Sequence, residues 1–567
     1  MTTPSSPDVP PGSVPPGSDL PAGSDVLPAE AAPRRRGRRT ALLAVLAGGA
    51  AVAVVGTAYA TVSFLSGGGA QPEDVLPSDV IAVAKVDLDP AAGQKVAVYR
   101  LTQKFPSLKD DVTSEDDVKD QLLRAVFEDV PDVDYERDIA PWIGDRAAIA
   151  AVPGGEEPGV LAAVAYTDRD EADAALERLA AQDPGTSFYA FSDNADYVLL
   201  GEDQATVDAA AGTEQVLADV ESFSDDVDAL DGDQIVSAWA DLSALWRSMP
   251  EDARAAAGEE GFELGGRVVV GAHAESDAVE VEGRGIDVVA GQRLPSTIGA
   301  RPGVDLVLGL PESTVAALGV TDLGPGLAQL YDELQQAGVP IDIDGMAAEL
   351  GLQLPDDLVA VFGQQTAVAL FEAQEAAARS RTDDPQRAAE VADALTQLLA
   401  GGLFGGSFAE GELAGEGMPD VYVDEGLPED GFSFEEDSGT AELPPVEPGV
   451  DEGTVIDGSR VAQTGEDLGV VVEVLDDGIV VGSSASAVEQ MSSDDGGLGG
   501  SELFQRAVPD ADDAGFVLFV DIQRALELGG GAEALGESAE DVDPLEALGI
   551  TSVGGEDASF RVRLTVR

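Results

Sequence analysis

Among the side chains that can act in catalysis or bind metal ions, carboxylates are the abundant ones in this sequence. The chain of 567 residues has 108 Asp and Glu against 31 Lys and Arg, a formal net charge of −77. Paired carboxylates suffice for glycoside hydrolysis, and clustered carboxylates bind divalent cations. With so many acids a suitable pair can be imagined anywhere, and dispersed acidity also keeps a protein soluble. The charge argues against nucleic acid as a partner, because polyanions are repelled.

One acidic segment, 510–521 (DADDAGFVLFVD), partly matches an EF-hand calcium loop. Acids occupy its first, third and twelfth places, and Gly515 occupies the sixth. The fifth place is Ala514, however, and the apolar run FVLFV follows where further ligands are needed. The pattern therefore favours a β-strand over a calcium site.

Histidine and cysteine chemistry is almost absent from the chain. It has no cysteine and one histidine, His273, in a predicted hairpin. This excludes disulfides, thiol nucleophiles, cysteine-based metal sites and mechanisms that need two histidines. The sequence also contains no G-x-S-x-G, HExxH or phosphate-cradling loop. We therefore predict no catalytic residue, no cofactor and no metal site.

Four basic residues form a candidate membrane-facing cluster: Lys95, Arg100, Lys104 and Lys109. Arg100 and Lys104 are four residues apart, so they are neighbours if the segment 93–105 is helical. Anionic lipid headgroups would attract such a cluster. The alternative is an ordinary solvated helix face on an acidic protein.

Four glycines are predicted to form tight structural turns rather than binding sites: Gly144, Gly363, Gly201 and Gly482. Gly144 precedes Asp145 and Arg146, which would suit an exposed recognition turn. The two residues after Gly363, however, are glutamines. Because the glycine recurs without the charges, a turn that needs a residue without Cβ is the better interpretation.

Three other residue types have structural explanations. Trp142 precedes an apolar strand and is predicted to pack in the core rather than to hold a ligand. Asp87 and Asp89 might be taken for cation ligands, but Asp89 precedes a proline and suits a helix N-cap. Asp241 and Asp521 each stand between a strand and a helix, where capping is again expected.

These residues belong to a pattern that occurs twice in the chain. Segment 132–151 aligns with 351–370 without a gap, so that Asp138 recurs as Asp357. Three further matches follow in the same order: a strand–glycine–helix at 196–210 and 477–491, a strand–aspartate–helix at 235–245 and 516–526, and a hairpin at 271–283 and 554–566. Four collinear matches predict a tandem duplication.

The duplication divides the outer region into unit one, 76–290, and unit two, 301–567. The offset between the copies grows from 219 to about 281 residues, which predicts an insertion in unit two. Segment 401–460, acidic and rich in glycine, fits as a disordered insertion. Alternating strands between helical segments predict an α+β fold: a mixed or antiparallel sheet with helices on one face of each unit.

The N-terminal region predicts a membrane anchor. Residues 1–39 form a Pro/Gly/Ser-rich tail, expected to be disordered, that ends in the basic cluster RRRGRR. The uncharged run 40–65 is long enough to span a bilayer as a helix, and 66–75 reads as a stalk. The positive-inside rule places the tail in the cytoplasm and the rest outside. Signal cleavage after AYA at 58–60 is the competing interpretation.

The segment 76–106, LPSDVIAVAKVDLDPAAGQKVAVYRLTQKFP, followed by DIAPWIGDRAA at 138–148, resembles an uncharacterised actinobacterial family. The resemblance covers roughly 76–567. It implies a single-pass, membrane-anchored protein whose extracytoplasmic domain has no known function. It brings no catalytic residues to assign here.

The sequence thus favours a non-catalytic, membrane-anchored extracytoplasmic protein that binds or scaffolds an unknown protein or small-molecule partner. One alternative is a carboxylate-based hydrolase of the cell envelope, which needs two or three acids of raised pKa in one cleft. Another is a carrier of an apolar ligand in a groove between the repeats, which needs a large apolar cavity.

Overall fold

A computed structural model gives the fold of most of the predicted outer region. It describes residues 69–88, 92–109, 123–124, 127, 133–154, 158–182, 188–250, 254, 264–290, 297–336, 343–349, 351–400, 470–493, 497–529, 539–555 and 557–567. The predicted tail, the predicted span 40–65, Asp89 and the predicted insertion 401–460 lie outside these residues. Within them, no helix has the length and apolar composition that a bilayer crossing requires.

The described strands form one continuous sheet. The first half of the chain contributes Ala82–Asp87 (β1), Ile143–Val152 (β2), Gly159–Tyr166 (β3), Phe188–Phe191 (β4), Tyr197–Gly201 (β5), Val236–Asp241 (β6), Leu264–Ala274 (β7) and Ala278–Ala290 (β8). The second half contributes Ala316–Thr321 (β9), Gln365–Leu370 (β10), Ala376–Arg381 (β11), Val471–Leu475 (β12), Gly478–Gly482 (β13), Phe516–Asp521 (β14), Leu545–Val553 (β15) and Ser559–Val566 (β16).

The order of the strands repeats across the middle of this sheet. From the centre to one edge it runs β8-β7-β6-β1-β2-β3-β5-β4, and to the other edge β16-β15-β14-β9-β10-β11-β13-β12. Each strand of the first half thus has a counterpart eight strands later in the chain. The counterparts β8 and β16 pair with each other, and the pairings throughout the described sheet are antiparallel. The α+β class with an antiparallel sheet is confirmed.

The helices of the described region follow the strands in both halves. The first half holds Ala92–Thr102 (α1), Pro106–Lys109 (α2), Arg169–Gln182 (α3), Gln204–Ala211 (α4), Glu221–Asp228 (α5) and Leu242–Ser248 (α6). The second half holds Asp305–Leu308 (α7), Leu323–Gln336 (α8), Ile343–Glu349 (α9), Asp356–Phe362 (α10), Pro385–Ala400 (α11), Ala485–Ser492 (α12), Glu502–Ala507 (α13), Ile522–Leu528 (α14) and Ala539–Val542 (α15).

The prediction that helices cover one face of the sheet is wrong, because they pack on both. Helix α3 shares a core with Ala162 and Val164 on one face of β3. Helix α4 shares another with Leu161 and Ala163 on the opposite face. The run of small and branched residues in these inner strands is apolar on both faces, as expected for a sheet covered on both sides. The second covered face was not predicted, because small residues in these strands give no clear alternation between a solvated and a buried face.

The aspartate that recurs in both copies closes the turn before a strand. Asp357 is almost fully buried and accepts hydrogen bonds from Gln353 N (2.6 Å) and from two Arg387 nitrogens (2.7 Å each). Asp138 is buried in the same way and accepts from Asp134 N (3.1 Å) and from Arg137. We call this arrangement the aspartate clasp. It explains why the aspartate is repeated when its neighbours are not.

Helix caps are present in both halves, including the two predicted at Asp241 and Asp521. Asp203 Oδ2 accepts from Thr206 N (2.8 Å), and Ser484 Oγ accepts from Ala487 N (3.0 Å). Asp241 and Asp521 cap α6 and α14 in the same way. Each cap satisfies a backbone N–H that the first turn of a helix leaves without a partner.

The four repeated glycines lie where another part of the chain approaches closely. A Cβ on Gly201 or on Gly482 would be 2.8 or 2.7 Å from a valine methyl of the following helix. A Cβ on Gly144 would be 2.8 Å from that of Ala165. Gly363 has φ +56°, and a Cβ there would be 1.9 Å from the carbonyl oxygen of Arg381.

We expect Gly363→Ala to destabilise the protein by more than about 3 kcal/mol. A positive φ alone costs an alanine about 1–2 kcal/mol, and here the new methyl group would also collide with the backbone of β11. Gly351→Ala is the matched control, because Gly351 has φ +72° but open space around it. Thermal unfolding of the two purified full-length variants should separate them; equal melting temperatures would contradict the steric argument.

The aspartate clasp predicts an acid-sensitive contribution to stability. Burial opposes ionisation of Asp357, but Arg387 and Gln353 N outweigh it and hold the pKa of this carboxyl below its ordinary value. A lowered carboxyl pKa stabilises the fold above the unfolded value of about 3.9, and this contribution is lost as the pH falls through the folded value. Asp357→Asn should therefore cost about 2 kcal/mol at pH 7 and progressively less below pH 4.

Calorimetric unfolding between pH 3 and pH 7 measures this effect. Asp356→Asn is the control, since Asp356 is the exposed neighbour in the same helical turn. A stability loss in Asp357→Asn that does not change with pH would show that the ionised clasp is not its source.

Candidate functional site

Charged side chains from both repeats meet on one face of the two central strands. Strand alternation puts Glu280 and Glu282 of β8 on the same face, opposite Arg563 and Arg561 of β16 in the antiparallel register. The neighbouring strand β7 places His273 opposite Glu280. The other face of β8 is apolar, with Val279 and Val281 in the core beneath α1.

We call the ionic face the charged seam, and Arg563 is its tightest member. Its guanidinium donates to both carboxylate oxygens of Glu275 (3.0 and 2.5 Å) and to Glu280 Oε2 (2.6 Å). Glu275 lies in the turn between β7 and β8, so Arg563 joins a turn and a strand of the first half to the last strand of the second. Its hydrogen bonds hold the pKa of Glu275 below the ordinary value.

Arg561 makes the second set of contacts across the charged seam. It forms ion pairs with Glu280 (2.9 Å), Asp231 (2.7 Å) and Asp510. Asp231 and Asp510 come from loops of different halves, after α5 and after α13. One guanidinium therefore ties a strand and a loop of the first half to a loop of the second.

Glu282 differs from the other acids of the charged seam. It is 2% exposed, accepts a hydrogen bond from Asp231 N and lies 3.9 Å from Arg561. Burial raises its pKa, and the nearby Asp231 carboxylate adds to the effect, while Arg561 and the backbone donor offset only part of it. Among the described residues this is the carboxyl group whose pKa is raised.

A solvent-open pocket of about 410 Å³ adjoins the charged seam at the end of the central strands. Its lining includes Asp231, Glu282, Arg284, Asp510 and Arg561, together with the ring of Phe560. Charged and hydroxyl groups dominate this lining, which suits a polar ligand rather than an apolar one. A larger and more apolar pocket of about 720 Å³, near Trp239 and Met249, lies within the first half.

The structure describes the side chains of two of the four residues predicted to face a membrane, Arg100 and Lys104. Arg100 is exposed on α1, but Lys104 Nζ donates to the Val566 carbonyl oxygen (2.9 Å) at the end of β16. Burial lowers the pKa of Lys104 in spite of the nearby Asp277 and Glu546. The side chains of Lys95 and Lys109 are not among those that the structure describes.

Other candidate residues have structural partners. Trp142 is buried in the core, as predicted, and its indole donates to the Asp138 carbonyl oxygen (2.7 Å). Asp87 pairs with Arg146 Nε (2.9 Å) instead of facing solvent. The segment with the partial calcium-loop pattern forms β14, as predicted, and its first acid, Asp510, contacts Arg561.

The charged seam itself was not predicted from the sequence. The signal was present in the fourth repeat match, where an EVE motif at 280–282 aligns approximately with RVR at 561–563. Acids in one copy opposite arginines in the other indicate that the two strands face each other. Sequence comparison of the repeats for complementary rather than identical charges would have revealed it.

Two substitutions in the charged seam should have opposite effects on stability. Glu280→Gln leaves two half-buried arginines without their shared carboxylate and should cost about 2 kcal/mol at pH 7. Glu282→Gln should stabilise the protein at pH 7, since a raised carboxyl pKa means that ionisation opposes folding above the unfolded value of about 4.3. This gain should disappear below about pH 4. Urea unfolding at pH 4 and pH 7 tests both, and a loss of stability in Glu282→Gln at pH 7 would contradict the assignment.

Comparison with known proteins gives a family but no activity. The family model described as "Protein of unknown function (DUF3352)" matches residues 40–400. No curated protein matches the chain. Among solved structures the chain is similar to one titled "Structure of crystal form IV of TP0453", at 8% identity over 39% of this chain and 81% of that chain. Its TM-score of 0.20 is too low to support any argument. Since the family model spans well over half of the sequence, the chain belongs to the DUF3352 family of proteins of unknown function.

Proposed function

We propose that this chain is a single-pass, membrane-anchored extracytoplasmic protein that binds or scaffolds a partner and catalyses no reaction. The support is of two kinds. The described residues form one continuous sheet that can serve as a platform, and the apolar segment ahead of them is suited to anchor it.

The main support for a binding or scaffold role is that the buried carboxylates of the described region are held in structural hydrogen bonds and ion pairs. Asp138 and Asp357 close turns, Asp226 is held by Trp239 and Arg267, and Asp322 is held by Arg301. The acids of the charged seam are held by two arginines. Carboxylates that are paired with arginines in this way are poorly placed to act as the acid or base of a catalytic reaction, which supports a binding or scaffold role.

The hydrolase alternative has less support. It needs at least two carboxyl groups in one cleft, one of them kept protonated by a raised pKa. In the described part of the chain Glu282 has a raised pKa, but its neighbours Asp231 and Asp510 contact Arg561. The carrier alternative needs an apolar groove between the repeats, whereas the pocket that adjoins the charged seam is lined mainly by charged groups.

The chemistry of the pocket favours a polar partner that carries positive charge. Asp231, Glu282, Asp510 and Asp513 line it against Arg284 and Arg561, on a protein of net charge −77. Such a surface attracts and orients basic groups more than it attracts acidic ones. We therefore propose a basic protein segment or a cationic small molecule as the partner.

The anchor proposal rests on residues 34–65. Five arginines stand before an uncharged run of 26 residues, and acids follow it. This combination of length and charge asymmetry is typical of a single span with its N-terminus in the cytoplasm. The family match begins at Thr40, the first residue of this run.

A pair of reporters fused after Arg567 tests the topology. We expect alkaline phosphatase, which needs the oxidising exterior, to be active there, and a cytoplasm-dependent fluorescent protein to stay dark. The full chain should also remain in membranes washed with alkaline carbonate. Deleting 40–65 is the control and should release the protein from the membrane fraction. A fluorescent C-terminal fusion, or full-length chain extracted by carbonate, would contradict the proposal.

A further inference from the structure

The only histidine of the chain is buried in the charged seam with its hydrogen bonding incomplete. The His273 side chain is 8% exposed, and its Nδ1 has no hydrogen-bond partner. Its Nε2 lies 4.0 Å from Glu280 Oε1, which is too long for a hydrogen bond. Leaving a buried polar atom without a partner costs about 1–3 kcal/mol. A ligand bound to this imidazole would offset that cost.

We propose that His273, Glu275 and Glu280 bind a divalent transition-metal ion, of which Zn²⁺ is the representative. Each residue offers one donor atom, and the three atoms lie within 4.8 Å of one another. Donors around tetrahedral zinc are about 3.4 Å apart, given metal–ligand bonds of about 2.1 Å. The approach of Glu275 closes the difference, because its side chain is 42% exposed and lies in the β7–β8 turn.

The balance of charge in the charged seam favours an added cation. Five carboxylates belong to it: Glu275, Glu280, Glu282, Asp231 and Asp510. They face two guanidiniums, those of Arg561 and Arg563, so three negative charges are in excess when all five acids are ionised. A divalent ion would compensate two of them, and water already screens Asp231 and Asp510, whose side chains are more than half exposed.

Arg563 limits the affinity but does not block the site. It donates to Glu275 and to Glu280 Oε2, and Arg561 Nε lies 2.9 Å from Glu280 Oε1. Each carboxylate oxygen nevertheless has two lone pairs and can accept from a guanidinium while it binds a metal. Hydrogen bonds to ligating carboxylates are a normal outer shell of a metal site. The positive charge nearby should make binding weaker than in a closed site of cysteines and histidines.

The imidazole decides which cations fit. Nitrogen donors suit zinc and its transition-metal neighbours, whereas Mg²⁺ and Ca²⁺ prefer oxygen ligands. Three protein ligands leave the fourth position of a tetrahedral ion to water. We predicted no metal site from the sequence because it has one histidine. The pairing of β7 with β8 brings Glu280 next to that histidine, which the sequence alone does not show.

Zinc binding by the full-length chain, purified in detergent and stripped with EDTA, tests the proposal. We expect isothermal titration with zinc sulfate and native mass spectrometry to show one Zn²⁺ that is retained in excess Mg²⁺. His273→Gln should weaken this binding at least tenfold, and Glu275→Gln, at the more exposed ligand, should weaken it as well. Glu282→Gln is the matched control: it removes an acid of the same seam that is not a ligand, and should weaken zinc binding much less than either ligand variant does.

Two outcomes would overturn the proposal. Zinc bound equally by the wild type and by His273→Gln would show binding to acidic residues elsewhere, which a protein of this charge makes plausible. Absence of a Mg²⁺-resistant equivalent in the wild type would show that Arg563 satisfies the site alone. Circular dichroism of the metal-free variants verifies their folding, and Glu275→Gln still decides the question if His273→Gln fails to fold. The result does not depend on the proposed anchor or partner.

Discussion

The union of the two halves depends on a row of opposite charges buried across the central pair of strands. Moving a carboxylate or a guanidinium out of water costs several kcal/mol, and this cost is offset only when an opposite charge is met in good geometry. Glu280 meets that condition through Arg563 and Arg561, both of which come from the last strand of the chain. At the junction of the two halves, the glutamate that the first half buries is therefore paired with arginines that the second half supplies.

The central pairing also resolves a problem that each half would have alone. Without its neighbour, β8 or β16 would be a sheet edge with a row of unpaired backbone groups, which invites aggregation. Their pairing along Ala278 to Arg284 and Ser559 to Thr565 removes both edges at once. On the opposite face, Val279 and Val281 add apolar contacts beneath α1, so that the junction has an ionic side and an apolar side.

Much of the local structure was predictable from the sequence, because it depends on short-range chemistry. Asp241 and Asp521 cap helices, as their positions between strand and helix indicated. The order of the strands follows the repeated pattern. The covering of both sheet faces was missed, because small residues such as Ala162 and Ala163 show no clear alternation between a solvated and a buried face.

Contacts between residues far apart in the chain could not be predicted from the sequence. The partner of Glu280 is 283 residues away, and nothing in the local pattern of either strand identifies it. His273 looked like an isolated side chain, because its carboxylate neighbours are brought to it by a strand register and a turn. The aspartate clasp was predictable in part. The repeated pattern singled out Asp357, but only the fold shows that Arg387 is its partner.

The distribution of charge between β8 and β16 also restricts what the halves can do after duplication. Two copies of β8 aligned against each other would place glutamate opposite glutamate, and two copies of β16 would place arginine opposite arginine, both of which are repulsive. The charges on these strands therefore make each half incompatible with a copy of itself and specific for the other. A symmetric dimer formed through two identical central strands is disfavoured by the same repulsion.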